Sequence, residues 1–279
     1  ATAGTDDRHM MSYVDFANTS DAAIAAGSRH GSTPSSNANV GNYTMDHVTF
    51  NNVGSAFKHG SGQGTVVTMS DFEINDASGA CFDLAEDTVA TLTNGDMDEC
   101  NSGGNSWGGA VISYPGSTSG SLTMENVDIT DSQVNLISVD LADVWISNVT
   151  GSTSTVGAQS GTVLNAEGSG SLYVYNMAAD GYASSSTNAL DSISLETVDW
   201  GSANIVMTPG GSSSTTAGPY GTSAAIDGLT AGDLTMTRMS PSMDNIDVGA
   251  LTIMGNAPTA NPMFGNAWTT SGISVSGCG

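Results

Sequence analysis

MENVDITD, residues 124–131, alternates apolar and polar side chains until Asn126, where the rhythm slips by one. Nearly the same phrase occurs as MSYVDFAN (11–18), MDHVTFNN (45–52) and MSDFEIND (69–76). A phrase that returns along a chain marks a structural unit stacked on copies of itself. The central apolar residues fall at 45, 69, 92, 124, 146, 174 and 195, in steps of 24, 23, 32, 22, 28 and 21. The unit is therefore about 21–24 residues, lengthened in places by insertions. Further, weaker instances open at Leu234 and Leu251.

Within a unit, period-two alternation puts Val67 and Met69 on one face and Thr68 and Ser70 on the other, as in a half-buried strand. A polar residue breaks the alternation, and a second strand such as Phe72–Ile74 starts again in the inward sense. A third follows, as in Ala80–Leu84, Ala110–Ile112 or Asn135–Ile137. Three strands and three turns per unit describe one coil of a parallel β-solenoid. The polar column holds Asp71, Asn94, Asn126, Asn148 and Asn176. Asn tolerates the left-handed backbone of a tight corner, and stacked amides can bond to one another at a coil spacing of about 4.8 Å.

On this pattern the chain resembles the right-handed parallel β-helix superfamily, the pectate-lyase-like solenoids, whose coils carry an asparagine ladder at one corner. The resemblance covers about residues 11–255 and implies an all-β helix of about nine to ten coils, with residues 1–10 ahead of it. Residues 256–279 then form a C-terminal segment or partial cap, with Met263, Phe264 and Trp268 over the core. The stretches 28–42, 101–109, 152–161 and 208–223 are rich in Gly, Ser and Asn and read as surface loops.

Composition agrees with this class. Of 279 residues, 38% are hydrophobic, enough for a continuous core, while 35 glycines and abundant Ser, Thr, Asn and Asp favour turns over helices. Against 28 acidic residues stand only Arg8, Arg29, Lys58 and Arg238, for a formal charge of -24. Such a surface repels nucleic acid and anionic membrane, whose recognition takes Lys and Arg. It suits solubility, or the collection of divalent cations. No apolar run approaches the roughly 20 residues that cross a bilayer. A first residue of Ala1 suits a secreted chain freed of its signal, and Asn18, Asn42 and Asn148 head glycosylation sequons. These features point to an extracellular or surface location.

For chemistry, the resemblance implies that lyase members hold calcium on acidic residues and use an Arg or Lys base, and that hydrolase members use clustered Asp. The only Arg or Lys after Lys58 is Arg238, which the repeat alignment places in the corner column. Asp96, Asp98 and Glu99 are the densest carboxylate cluster for a hydrolase. Asp83, Glu86 and Asp87, with Asp140 and Asp143 at similar turns, are candidate calcium ligands, and His30 and His59 a candidate metal pair. Outward first-strand residues form a row, Thr44, Thr68, Thr91, Thr123, Trp145, Tyr173, Ser194, Thr235 and Thr252. Its threonines raise ice binding as a minor reading; Trp145, Tyr173 and Tyr175 raise a contact patch for a sugar or a protein. Cys81 and Cys100 fall in adjacent coils and suit a stapling disulfide, which leaves Cys278 for another chain or a continuation.

A solenoid without caps exposes unpaired strand edges, and no amphipathic capping helix is visible at either end. The expected function is therefore a non-enzymatic extracellular structural or surface protein, self-assembling end to end. The alternative is a carbohydrate-active solenoid that binds or cleaves polysaccharide.

Overall fold

The computed structural model of the chain describes residues 7–26, 41–59, 65–85, 87–106, 108–113, 120–153, 161–167, 170–188, 191–208, 222–237, 239–254 and 274–275. In chain order their strands are β1 (Asp7–Ala26), β2 (Gly41–His59), β3 (Val66–Ala77), β4 (Phe82–Leu84), β5 (Val89–Cys100), β6 (Gly109–Ser113) and β7 (Ser121–Thr130). There follow β8 (Asn135–Asp140), β9 (Asp143–Ser152), β10 (Thr162–Glu167), β11 (Ser171–Asp180), β12 (Ser184–Asn188) and β13 (Ser192–Asp199). The remainder are β14 (Asn204–Thr208), β15 (Thr222–Ala231), β16 (Leu234–Thr237), β17 (Met239–Val248), β18 (Leu251–Met254) and β19 (Ser274–Val275).

The pairings are parallel, and they join the strands into one sheet wound nearly closed round an axis, in the manner of a solenoid. From β4 onward each strand pairs with the one two before it and, up to β17, with the one two after it. One ladder runs β1–β2–β3–β5–β7–β9–β11–β13–β15–β17–β19. The second runs from the end of β2 through β4, β6, β8, β10, β12, β14, β16 and β18. Consecutive rounds of the chain, its coils, thus lie side by side, with β1 in the first and β17 in the tenth.

The register explains the sequence rhythm. Met45 lies beside Met69, Met69 beside Leu92 and Leu92 beside Met124, all fully buried. Past the corner, Val48, Phe72, Gly95 and Val127 form the next inward column. Phe72 and Gly95 fit as a pair: a Cβ on Gly95 would sit 2.1 Å from the Phe72 ring. The second ladder contributes Phe57, Phe82, Val111, Ile137 and Leu164 to the same core.

The slip in the rhythm is a bend inside one continuous strand. The residues at that column, Tyr13, His47, Asp71, Asn94, Asn126, Asn148, Asn176, Thr197, Gly228 and Asn245, have φ between 49° and 74°. A left-handed residue turns the strand and restarts inward-outward alternation one residue later, and Asn and Asp accept that conformation better than most residues. A second left-handed column follows at Asn18, Asn52, Asp76, Glu99 and Asp131, which the repeat pattern does not distinguish.

Two readings of the repeat are corrected. Leu234–Thr237 and Leu251–Met254 pair with β14 and β16, so they belong to the second ladder. The first-ladder strands of those coils open at Thr222 and Met239, with corners at Gly228 and Asn245. Arg238, which the repeat alignment sets in the corner column, lies outside the described residues. Both kinds of strand alternate with period two, so alternation alone could not separate them. Ala224 and Pro241 also weaken the strand signal where it belonged.

Candidate functional site

The corner column carries the amide ladder. Asn176 donates through Nδ2 to Asn148 Oδ1 at 2.8 Å, Asn148 to Asn126 at 3.0 Å, Asn126 to Asn94 at 3.2 Å, and Asn94 to Asp71 Oδ1 at 3.3 Å. Every amide donates toward the preceding coil, so the row needs an acceptor at its N-terminal end. A carboxylate is acceptor-only, which is a physical reason for Asp rather than Asn at position 71. Asn148 is held on both sides by this row, so a glycan on its Nδ2 would break a rung. Of the other sequons, Asn18 sits exposed in the second corner column and accepts from Asn52 Nδ2 at 2.9 Å, and Asn42 is half-buried at the start of β2.

Beyond Asp71 the ladder changes chemistry. His47 takes the corner of the second coil, its ring stacked on Tyr13 at 4.7 Å. Its Nδ1 lies 2.9 Å from Asp46 Oδ2, and Ser70 donates to Asp46 Oδ1 at 2.7 Å. The hydrogen bonds from Ser70 and then from His47 hold the Asp46 carboxyl below its ordinary range. The bond to Asp46, with the charges of Asp46 and Asp71, raises His47 above the usual imidazole value. One ligand atom from each of Asp46, His47 and Asp71 lies within 4.8 Å of the others. Beside them opens a cleft of about 530 Å³, lined by Tyr13, Asp15, His47, Asp71, Glu73, Asn94 and Asp96 among others. Carboxylates from the first, third and fourth coils, Asp15, Asp71 with Glu73, and Asp96, therefore line one open groove.

The other candidates are placed as follows. Asp96 lines this cleft, but Asp98 accepts a hydrogen bond from Thr130, and Glu99 is a left-handed corner, so the acidic cluster diverges rather than converging. Asp83 is buried and ion-paired with Lys58 at 3.1 Å. The Asp140 amide donates to Ser113 Oγ, and Asp143 Oδ1 accepts from the Ser171 amide. Among the described residues these acids, Asp87 included, do not gather as a ligand set. Register places Ser138, not Asp140, two coils on from Asp83. Glu86 lies outside the described residues. His59 is in register with Ala26 rather than His30, and His30 too lies outside them.

Trp145 and Tyr173 stack at 3.9 Å between ring centroids, with Tyr175 two residues along the strand and partly exposed. Stacked along the sheet, the two rings spend their facing surfaces on each other. They present chiefly edges outward, which is poorly suited to a sugar lying flat on an aromatic face. Thr44, Thr68, Thr91 and Thr123 do stand in register. After Ser194 the row continues with Ala225 and Ser242, because Thr235 and Thr252 are on the second ladder. Four threonines make a short row.

Cys81 and Cys100 form a disulfide, which staples the third coil to the fourth. Cys278, Met263, Phe264 and Trp268 are outside the described residues. Among the described residues no helix is long and apolar enough to cross a membrane. Sequence reading missed Asn101, fully buried: its Nδ2 donates to the carbonyls of Asn105 and Gln133, and its Oδ1 accepts from the Asn105 amide. No known family model, curated protein or solved structure matches this chain.

Proposed function

We propose that this chain is a non-enzymatic structural protein of an extracellular surface, a single-stranded right-handed β-helix that assembles end to end with copies of itself. Right-handedness follows from the general hand of parallel crossovers, and the amide ladder at one corner supports the likeness to pectate-lyase-like solenoids.

The observation that carries the assembly reading is the outer edge of β1. Among the described residues this twenty-residue strand pairs only with β2. Its rings His9, Tyr13 and Phe16 stack on Tyr43, His47 and Phe50, leaving their other faces toward the end of the stack. Met10 and Tyr13 are 79% and 77% exposed. A long edge of this kind is a template for another strand. The partner of choice is the C-terminal coil of a second copy. Asn245 bends that coil as Tyr13 bends the first, with φ of 52° and 55°. The same edge already accepts the short parallel strand β19 at Ser242 and Met243.

The test is electron microscopy and sedimentation of the purified chain at rising concentration, beside Met10→Lys, which puts a charge on the edge without touching the core. Rods that lengthen with concentration, and shorten in Met10→Lys, support the reading. A wild-type chain that stays a single short rod at high concentration sinks it. Cleft acidity favours one second reading, a groove acting on polysaccharide; a positive glycan screen with a chain that never assembles would support it.

A further inference from the structure

We propose that Asp46, His47 and Asp71 bind one divalent metal ion of the Zn²⁺ class, joining the second and third coils. Four of the next five corners of the column hold Asn, a residue whose tolerance of the left-handed backbone would equally suit position 47. His47 departs from that pattern where two carboxylates are in reach. One imidazole with two carboxylates suits zinc and its neighbours in the transition series, whereas calcium favours an all-oxygen shell.

The surroundings orient the donors. Tyr13 covers one face of the His47 ring. Ser70 holds Asp46 Oδ1 and turns Oδ2 toward His47, while Asn94 holds Asp71 Oδ1. Supporting bonds of this kind fix the aim of ligands. Tetrahedral zinc with bonds of roughly 2.1 Å needs donors about 3.4 Å apart. Donors within 4.8 Å of one another reach that by small rotations of side chains at the protein surface. His47 and Asp71 also line the cleft, through which an exchangeable ligand can reach the ion.

The test uses the full chain with zinc and isotope-labelled imidazoles, which give one NMR signal set for each of the 4 histidines. Expected is saturable binding of one ion that shifts the His47 signals. Binding weakens by about ten-fold or more in His47→Asn and in Asp71→Asn, but not in Asp199→Asn, five coils beyond Asp71. His47→Asn keeps a corner-compatible residue, so its fold survives, as circular dichroism will report. An unmoved His47 signal at millimolar zinc overturns the site. So does equal weakening in Asp199→Asn, which would mean diffuse attraction to an acidic surface, or displacement of zinc by equimolar calcium.

Discussion

The pairing of Phe72 with Gly95 offers the sharpest test of the coil register. In that inward column Val48, Val127 and Val149 are buried, and the two central coils hold one large and one absent side chain. Gly95→Val places methyl groups where the Phe72 ring lies, since even a Cβ comes within 2.1 Å. A packed ring can yield only by distorting its own neighbours, at about 1–3 kcal/mol or more. Phe72→Val removes most of a ring that is 3% exposed, at about 2–3 kcal/mol for lost burial and a cavity.

The double substitution converts the column to an unbroken run of valines, whose two side chains nearly match one phenylalanine in carbon content. Its cost should fall below that of either single change. The cycle would then show a favourable coupling of about 2 kcal/mol or more, against the roughly 0.5 kcal/mol within which independent sites add. Thermal and denaturant unfolding of the four proteins measure it. At this chain size each kcal/mol moves Tm by about 2–4 °C, so the single variants should melt several degrees below the double. Additive losses would refute the register that sets Phe72 beside Gly95.

Three further outcomes are expected. Asn126 has φ 55° and joins two rungs, so Asn126→Ala loses both bonds and adds about 1–2 kcal/mol of left-handed strain. Asn126→Gly loses only the bonds and should unfold later in denaturant than Asn126→Ala, the reverse of the usual strand ranking. Tyr182, 3% exposed, donates its hydroxyl toward the carbonyls of Ser132 and Ser152, and burial raises its ionisation well above the ordinary tyrosine value. Tyr182→Phe should cost about 1–2 kcal/mol, and a spectrophotometric titration should show one tyrosine that ionises only on unfolding. Reducing the Cys81–Cys100 bond, whose partners are 19 residues apart, should lower stability by about 3 kcal/mol, read as a fall in Tm with reductant.

The architecture is legible in the sequence because one feature repeats: the break of alternation at Asn126 and its equivalents, which is physically a left-handed residue in a bent strand. Corner residues needing a special backbone leave a mark in sequence. Strand identity does not, because the two ladders share period two, and so β16 and β18 read as first strands. The cleft is harder still. Asp46, His47 and Asp71 are each visible, but Asp71 reads as a ladder residue, and the repeat alignment pairs His30 with His59 and leaves His47 aside. The aligned phrases set Tyr13, His47 and Asp71 at one position, but only the register shows that the three stack side by side, with Asp46 next to them.

The direction of hydrogen bonding in that column recurs in side-chain pairs along the stack, Asn101 to the Gln133 carbonyl running the other way, and bears on how copies could join. Asn52 donates to Asn18, Ser70 to Asp46, Asn75 to Asn51, Ser102 to Asp76, Thr130 to Asp98, Thr150 to Asp128, Ser186 to Asn165 and Asn245 to Asp227. In each the donor belongs to the later coil and the acceptor to the earlier one, as in the amide ladder. Part of the acidity is thus structural: carboxylates serve as acceptors for the hydroxyls and amides stacked above them. The stack has a polarity, with donors aimed toward its first coil. A second copy seated head to tail continues that polarity at the joint, bringing donors of one first coil to acceptors of another last coil. A head-to-head joint sets like ends against each other and gains none of these bonds. An assembly built on this edge is therefore heterologous and open, the geometry that propagates into filaments rather than closing as a dimer.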